Sequence, residues 1–430
     1  MLIFNRAFCS GKDSKMIKKI TALLVSVCLA ASMAACGSTE NSSSTTNSSS
    51  TTTSETSSDG SSSSDESSDA SSEAEAPEPS LTIDGQSVDL DGLVMCTIDG
   101  MDISFDFFRY YYYYTLSIYS QSYGISLEDL AADEESFNFL KESIVSQLKQ
   151  DLVSRHLAQE NGIELDEEDM KGIEDKINEV KAEFDSEDDF NAALKNACLT
   201  YDVYFEMQKL SALYDKVEAQ LLTNGGKYST SEEDFKKIVQ DPEEYSRVIH
   251  ILIPYYSQAE LTDDSVASEY ESYTLYQKGN VKQEAYNALS EEEQEKVKEA
   301  SKKVAEEVLE KVKSGENFAK LMAEYGWDPG MESSPEGYYI NKDTSFVQEF
   351  KDKAFELAEN ETSDLVENSS YGWFIINRLP IDMNYVEENI EKLISEYDTP
   401  KINQLFTDII DNMEVVTSEY YDKLGPDSLT

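Results

Sequence analysis

Apolar positions repeat with two different periods along this chain, and the changes of period mark its organisation. From residue 81, "LTIDGQSVDL" and "VMCTIDGMDIS" alternate apolar and polar residues, and each is broken by Asp-Gly. That dipeptide is the favoured two-residue hairpin turn, so two short hairpins are predicted. Between 104 and 238 the period becomes helical: segments near 135–160, 166–184, 187–197 and 200–222 carry apolar stripes, and Leu140, Ile144, Leu148, Leu152 and Leu157 track one face. Ser186 before Asp189 and Ser231 before Asp234 are helix-start signals, and Asn161-Gly162 is a stop.

Residues 240–382 mix both periods. "YSRVIHILIP" reads as a strand bounded by Pro254, and Ser290 to about Ser314 as a long helix opened by a Ser290/Glu293 capping box and closed by Gly315. A short helix "FAKLMAEYG", the strand "EGYYI", the helix "SFVQEFKDKAFEL" and the strands "SDLVENS" and "GWFIINRLP" follow. The predicted order is β-α-α-β-α-β-β, and amphipathic helix returns from 384 to 430. The fold class is α+β.

The first residues belong to export rather than to this fold. "MIKKITALLVSVCLAASMAACGS" has a basic start at Lys18 and Lys19 and an apolar run from about Ala22 to Ala35, shorter than the roughly 20 residues a bilayer-spanning helix needs. This is the pattern of a signal peptide. Met33-Ala34-Ala35-Cys36 resembles a bacterial lipobox, in which the cysteine, here Cys36, becomes the lipid-modified first residue; the alternative is a plain secretory cleavage site ahead of a cysteine. Residues 37–80 are a Ser/Thr tract with almost nothing to bury, which cannot offset the entropy of folding. As a flexible tether such a tract spans roughly 35 Å root-mean-square.

Charge and cysteine usage then remove whole classes of function. The formal charge is −51, a surface repelled by nucleic acid and anionic lipid but tolerant of basic or unfolded chains. Solubility alone also accounts for it. After Cys9, Cys28 and Cys36, only Cys96 and Cys198 remain, so one disulfide is conceivable and a disulfide framework is not. With two histidines and no Cys/His cluster, no metal site or cofactor is expected. No phosphate loop, nucleophile elbow or zinc-helix motif is present in the sequence. His156, in "LVSRHLAQENG", reads as a helix-surface or satisfied residue. Five consecutive tyrosines, Tyr110–Tyr114, encircle their helix, so either neighbouring helices wrap it or some rings line a cleft.

"VIHILI", "VKSGENFAKLMAEYGWDPG", "FVQEFKDKAFEL" and "YGWFIIN" resemble the parvulin (PpiC) type of peptidyl-prolyl isomerase domain. With the lipobox and the segments "TIDGMDIS", "LAQENGIELDEEDM" and "DFNAALKNACLT", the chain after Cys36 resembles foldase lipoproteins of the PrsA and SurA kind. The resemblance implies a signal peptide over 1–36, the tether over 37–80, and a SurA-like helical chaperone lobe over 81–239 that 383–430 completes. The isomerase domain would occupy 240–382. In that family one histidine lies in the first strand and another in the last. His250 matches the first, whereas the gapless match of "YGWFII" puts Phe374 at the second. Asp328 matches the residue facing the substrate, Phe346 and Phe350 the proline pocket, and Ser369 a hydroxyl position. The usual Gly-Gly-Asp-Leu-Gly is reduced to "SPEGYY", and 257–288 insert a long loop.

Rotating an X-Pro bond crosses a barrier of about 18–20 kcal/mol without breaking any bond. The catalyst needs an apolar seat for the ring and an environment that favours the twisted amide, with no obligatory nucleophile. Each residue also has a structural alternative: Asp328-Pro329-Gly330 is a good turn, Phe346 and Phe350 lie four apart as on a helix's core face, and His250 alternates with Val248 and Leu252 as a buried ring would. The expected function is that of an extracytoplasmic folding factor, lipid-anchored to a bacterial membrane, acting on unfolded secreted polypeptides with X-Pro bonds. The expectation holds either as an isomerase weakened at position 374 or as a non-catalytic holdase or scaffold.

Overall fold

The computed structural model describes residues 78–130, 134–223 and 225–429; Cys36, the signal segment and nearly all of the tether lie outside them. The described chain forms two compact units, one of residues up to 222 together with 401–429, the other of 223–400.

The first unit opens with the two hairpins. Strands β1 (Thr82–Ile83) and β2 (Gln86–Ser87) turn at Asp84-Gly85, and β3 (Val94–Ile98) and β4 (Met101–Ser104) at Asp99-Gly100. All four turn residues have positive φ, between 48° and 77°, the left-handed backbone that Asp-Gly tolerates. Helices α1 (Phe105–Tyr123), α2 (Glu134–Asn161), α3 (Glu167–Ala182), α4 (Glu187–Asn196) and α5 (Tyr201–Val217) follow. The expected caps form: Ser186 accepts from the Asp189 N–H at 3.1 Å, and Gly162 carries φ +67° at the end of α2. The expected helix to 222 closes instead with a π turn over Glu218–Leu222. The C-terminal residues join this unit through backbone pairing, the strand Val415–Thr417 lying antiparallel to β3.

The tyrosine run is mainly core. Tyr110, Tyr111 and Tyr112 are buried, and Tyr113 and Tyr114 are half-buried. α1 packs on α2, where the Tyr111 hydroxyl donates to Asp151, which also accepts from Gln147 at 3.3 Å. Burial pushes the Asp151 carboxyl up to about 6, against the opposing pull of the Tyr111 and Gln147 bonds. A carboxyl raised on folding stabilises fully only below its unfolded value near 3.9, and that stabilisation is lost as pH rises through the folded value. Asp151→Asn is therefore expected to melt higher than the parent at pH near 8, with the gap closing as pH falls through about 6. Thermal melts across that pH range check this. His156 is paired, its Nδ1 lying 3.0 Å from the Asp99 carboxylate.

The second unit is built on a four-stranded antiparallel sheet in the order β6-β5-β8-β7: β5 (Tyr245–Pro254), β6 (Tyr338–Asn341), β7 (Val366–Asn368) and β8 (Gly372–Leu379). Both faces of β5 are covered, which explains its nearly unbroken apolar run. Ile251, Ile253 and Tyr255 pack with Trp373 and Ile375 against Ala305, Val308 and Leu309 of helix Glu291–Lys313 and Leu321 of helix Phe318–Tyr325. Val248 and the half-buried Leu252 face the other way, with Phe374 and Ile376, onto Phe350, Ala354 and Leu357.

Three features depart from expectation. Helix Glu232–Ile238 and residues 383–400 pack with this unit rather than with the first, because Phe235 is fully buried against Tyr245 and Tyr397, in one cluster with Val386 and Leu393. The insertion at 257–288 is largely helical, over Asp264–Glu269 and Leu275–Asn287, the latter opened by a Thr274/Gln277 capping box. The third helix starts at Gln348, so Phe346 lies on the segment before it.

Candidate functional site

His250 sits at the middle of β5 and is 2% exposed. Strand alternation points it to the face bearing Val248 and Leu252, and the pairing of Leu252 with Phe374 sets the last strand beside it. The two rings lie 5.5 Å apart, as the gapless match of "YGWFII" requires. His250 Nε2 is 3.1 Å from Asp328 Oδ2. Asp328 arrives on the loop after helix Phe318–Tyr325, where the Trp327 N–H donates to the Leu252 carbonyl at 3.0 Å. Its other oxygen accepts from the Gly330 N–H at 2.9 Å and caps the short helix Pro329–Ser333. The Asp-Pro-Gly sequence thus has both a structural and a site geometry.

A third partner completes the carboxylate's shell. The Tyr338 hydroxyl donates to Asp328 Oδ2 at 2.9 Å. Burial raises the Asp328 pKa, but the His250 hydrogen bond and charge, the Gly330 N–H and the Tyr338 hydroxyl outweigh it and hold the carboxyl below its ordinary value. Burial and the adjacent carboxylate push the Tyr338 phenol up, so it stays a donor. Because the folded value is depressed, the carboxylate's contribution is present above the ordinary range and disappears only as pH falls through the lowered value.

Sequence reading missed Tyr338. The signal for it was strand register: Tyr338 pairs with Val248, which shares its face with His250. Gly330 is required by the same contact, because a Cβ there would lie 1.8 Å from the Tyr338 hydroxyl oxygen and 3.0 Å from its ring carbon. Gly330→Ala is expected to displace the phenol and to cost about 1.5–3 kcal/mol, the range for a hydrogen bond to a charged group. Tyr338→Phe should reproduce most of that loss in a denaturant titration.

Around this polar group the rings form a basket. Phe350, 1% exposed, meets His250 edge-on at 5.0 Å and Phe374 at 5.3 Å. Half-buried Phe346 stacks on Phe350 at 5.3 Å and touches Tyr338 at 5.2 Å. Tyr371, half exposed, reaches Phe374 at 6.3 Å. Of the positions marked in sequence, the structure brings together His250, Asp328, Phe346, Phe350 and Phe374. Ser369 does not join them: it is exposed in the turn after β7 and, among the described residues, shares none of the hydrogen bonds of the group.

His250 carries one unresolved demand. With Nε2 committed to a carboxylate, Nδ1 is buried and has no hydrogen-bond partner among the described residues. Nε2 is the donor in the contact with Asp328, since an ionised carboxylate only accepts. Among the described residues no group of three or more His, Cys, Asp or Glu side chains could hold a metal ion.

Residues 235–379 match the family model of the PPIC-type PPIase domain. The match and the mixed helix-and-sheet fold make this a parvulin-type peptidyl-prolyl isomerase domain, and the protein is a protein-folding factor that carries one. Its likeness extends beyond the domain to foldases of the PrsA type. It is 25% identical over 282 residues to the foldase protein PrsA of Oceanobacillus iheyensis, covering 64% of this chain and 73% of that protein. A parvulin-like PPIase of Rickettsia prowazekii is 35% identical over 131 residues, 30% of this chain and 43% of that one. The solved PrsA of Bacillus cereus aligns at 22% identity over 68% of this chain and 92% of that chain, with a TM-score of 0.33.

Proposed function

We propose that the protein assists secreted polypeptides outside the cytoplasm and that its isomerase domain accelerates X-Pro rotation at the basket of Phe346, Phe350, Phe374 and Tyr338. The observation that carries this reading is the ionised Asp328 fixed between His250 and Tyr338 at the floor of that basket. A planar prolyl amide is more polar than a twisted one, because conjugation separates charge between oxygen and nitrogen. An apolar seat beside a fixed anion, whose neighbouring donors are already engaged, therefore disfavours the planar ground state relative to the transition state. Cys36 would carry a lipid anchor, residues 37–80 would tether the folded units, and the helical unit would hold the client chain. Among the described residues no helix is long and apolar enough to cross a membrane.

The test is a protease-coupled prolyl peptide assay and a proline-limited refolding assay on the protein lacking residues 1–36. Catalysis above the thermal rate is expected, with Phe346→Ala lowering kcat/KM about tenfold through lost packing on the proline ring. Parent and variant both at the uncatalysed rate would sink the enzyme reading. A second reading, a holdase with a catalytically silent domain, is favoured by one observation: His250 Nδ1 has no partner among the described residues, and Phe374, whose ring lies 5.5 Å from the imidazole, can supply none. That reading predicts suppression of client aggregation with no change in refolding rate.

A further inference from the structure

The end of α1 and the start of α2 enclose a groove of about 1300 Å³ in the first unit, lined by Tyr119, Tyr123 and Phe139 and by the carboxylates Glu134, Glu135 and Glu142. Its aromatic floor is preorganised. The Tyr119 hydroxyl donates to Ser143 Oγ at 2.7 Å, Phe139 stacks on Tyr119 at 6.1 Å with the planes 15° apart, and Tyr123 leans on Tyr119 at 6.2 Å. Yet the outer rings are bare: Tyr123 is 70% and Phe139 58% exposed, with Ile118 exposed on the same helix as Tyr123. Covering one such ring is worth about 1–2 kcal/mol, so leaving both open is costly unless something covers them. Among the described lining residues none is a lysine or arginine. The helix dipole accounts for Glu134 and Glu135 in the first turn of α2, but Glu142, two turns on, has no such reason to be there.

We propose that this groove captures unfolded segments in which an aromatic or aliphatic residue is flanked by lysine or arginine. The apolar residue lies on the Phe139–Tyr119 stack, and the cations pair with Glu134, Glu135 and Glu142 or lie over the ring faces. Charge complementarity selects this occupant over the others at hand. The chain's own residues 37–77 are acidic and hold no lysine, arginine or aromatic side chain, and a second copy brings another formal charge of −51. The proposal rests on the reading that the protein handles unfolded clients, and it names which segments that unit prefers.

The test uses the protein lacking residues 1–36 and a fluorescent unstructured peptide with a central Phe-Trp pair flanked by lysines, beside versions with glutamate for lysine and glycine for Phe-Trp. Anisotropy should show binding of the first peptide only, weakening with salt. Phe139→Ala with Tyr123→Ala should weaken it about tenfold, the loss typical of two aromatic contacts. Glu134→Lys with Glu142→Lys should reverse the preference between lysine and glutamate flanks. Both pairs are on the exposed or rim positions of the groove, so unchanged circular dichroism and isomerase rate verify folding. Equal affinity for lysine- and glutamate-flanked peptides, full affinity after loss of both rings, or a dimer in sedimentation that those ring variants abolish would each overturn the proposal. If the variants bind normally while the parent still protects or isomerises clients, the groove assignment fails and the folding function stands. If no peptide binds and no client is protected or isomerised, the folding function fails with it.

Discussion

Arg378→Met is expected to destabilise the second unit by about 3–5 kcal/mol, the sum of two or more buried carbonyls left without donors. Arg378 lies on β8, is 6% exposed, and spends its guanidinium on backbone rather than on a carboxylate: it donates to the carbonyls of Phe355 and Leu357 at 3.3 and 2.9 Å, and of Pro242 and Tyr245 at 3.2 Å each. Those four carbonyls come from the end of the helix Gln348–Glu356 and from the entry to β5, so one side chain fastens both to the last strand. Methionine keeps much of the volume and none of the donors. Arg378→Lys should lie between, because one ammonium cannot reproduce a planar fork of donors. Denaturant titration followed by the Trp327 and Trp373 fluorescence measures the loss; a change under 1 kcal/mol, the worth of one ordinary hydrogen bond, would show the four bonds to be dispensable.

Asp328→Ala is expected to lower the catalysed isomerisation rate about 10²-fold, the scale for removing a preorganised electrostatic group. It strips the acceptor from three donors at once: His250 Nε2, the Tyr338 hydroxyl and the Gly330 N–H. Asp328→Asn should be less harmful to folding yet similarly slow, since its amide keeps the shape and one acceptor but not the charge. A kcat loss with KM unchanged in the asparagine variant separates an electrostatic role from a merely structural one. Full activity in the asparagine variant would assign catalysis to the aromatic basket alone.

Phe374 tells the same story from the other side of His250. Phe374→His would place a second imidazole beside His250, whose Nδ1 has no partner among the described residues, and an increase in isomerisation rate over the parent would identify the missing partner as the limiting feature of this site.

The caps and hairpins were legible because their chemistry is local. Asp84-Gly85 and Asp99-Gly100 need only their own backbone to favour positive φ, and the Ser290/Glu293 box is closed by residues three apart. The neighbourhood of His250 and Phe374 was legible for a different reason, as two contiguous apolar strands that can pair in few registers. Phe346 was placed on a helix because a spacing of four looks helical. The chain instead turns at 342–346, and the ring reaches Phe350 from outside the helix.

Short-range periodicity and turn chemistry in the sequence set the α+β class and the order of helices and strands along the isomerase domain, while His250, Asp328, Phe350 and Phe374 stood out only through the resemblance of their segments to parvulin domains. Only the tertiary structure decided that Tyr338 completes the Asp328 shell, that Gly330 must be bare for it to do so, and that Arg378 fastens the sheet to its flanking segments. Those roles depend on side chains converging from segments 10 to 136 residues apart, and no local pattern encodes which polar group will meet which once the apolar faces have closed.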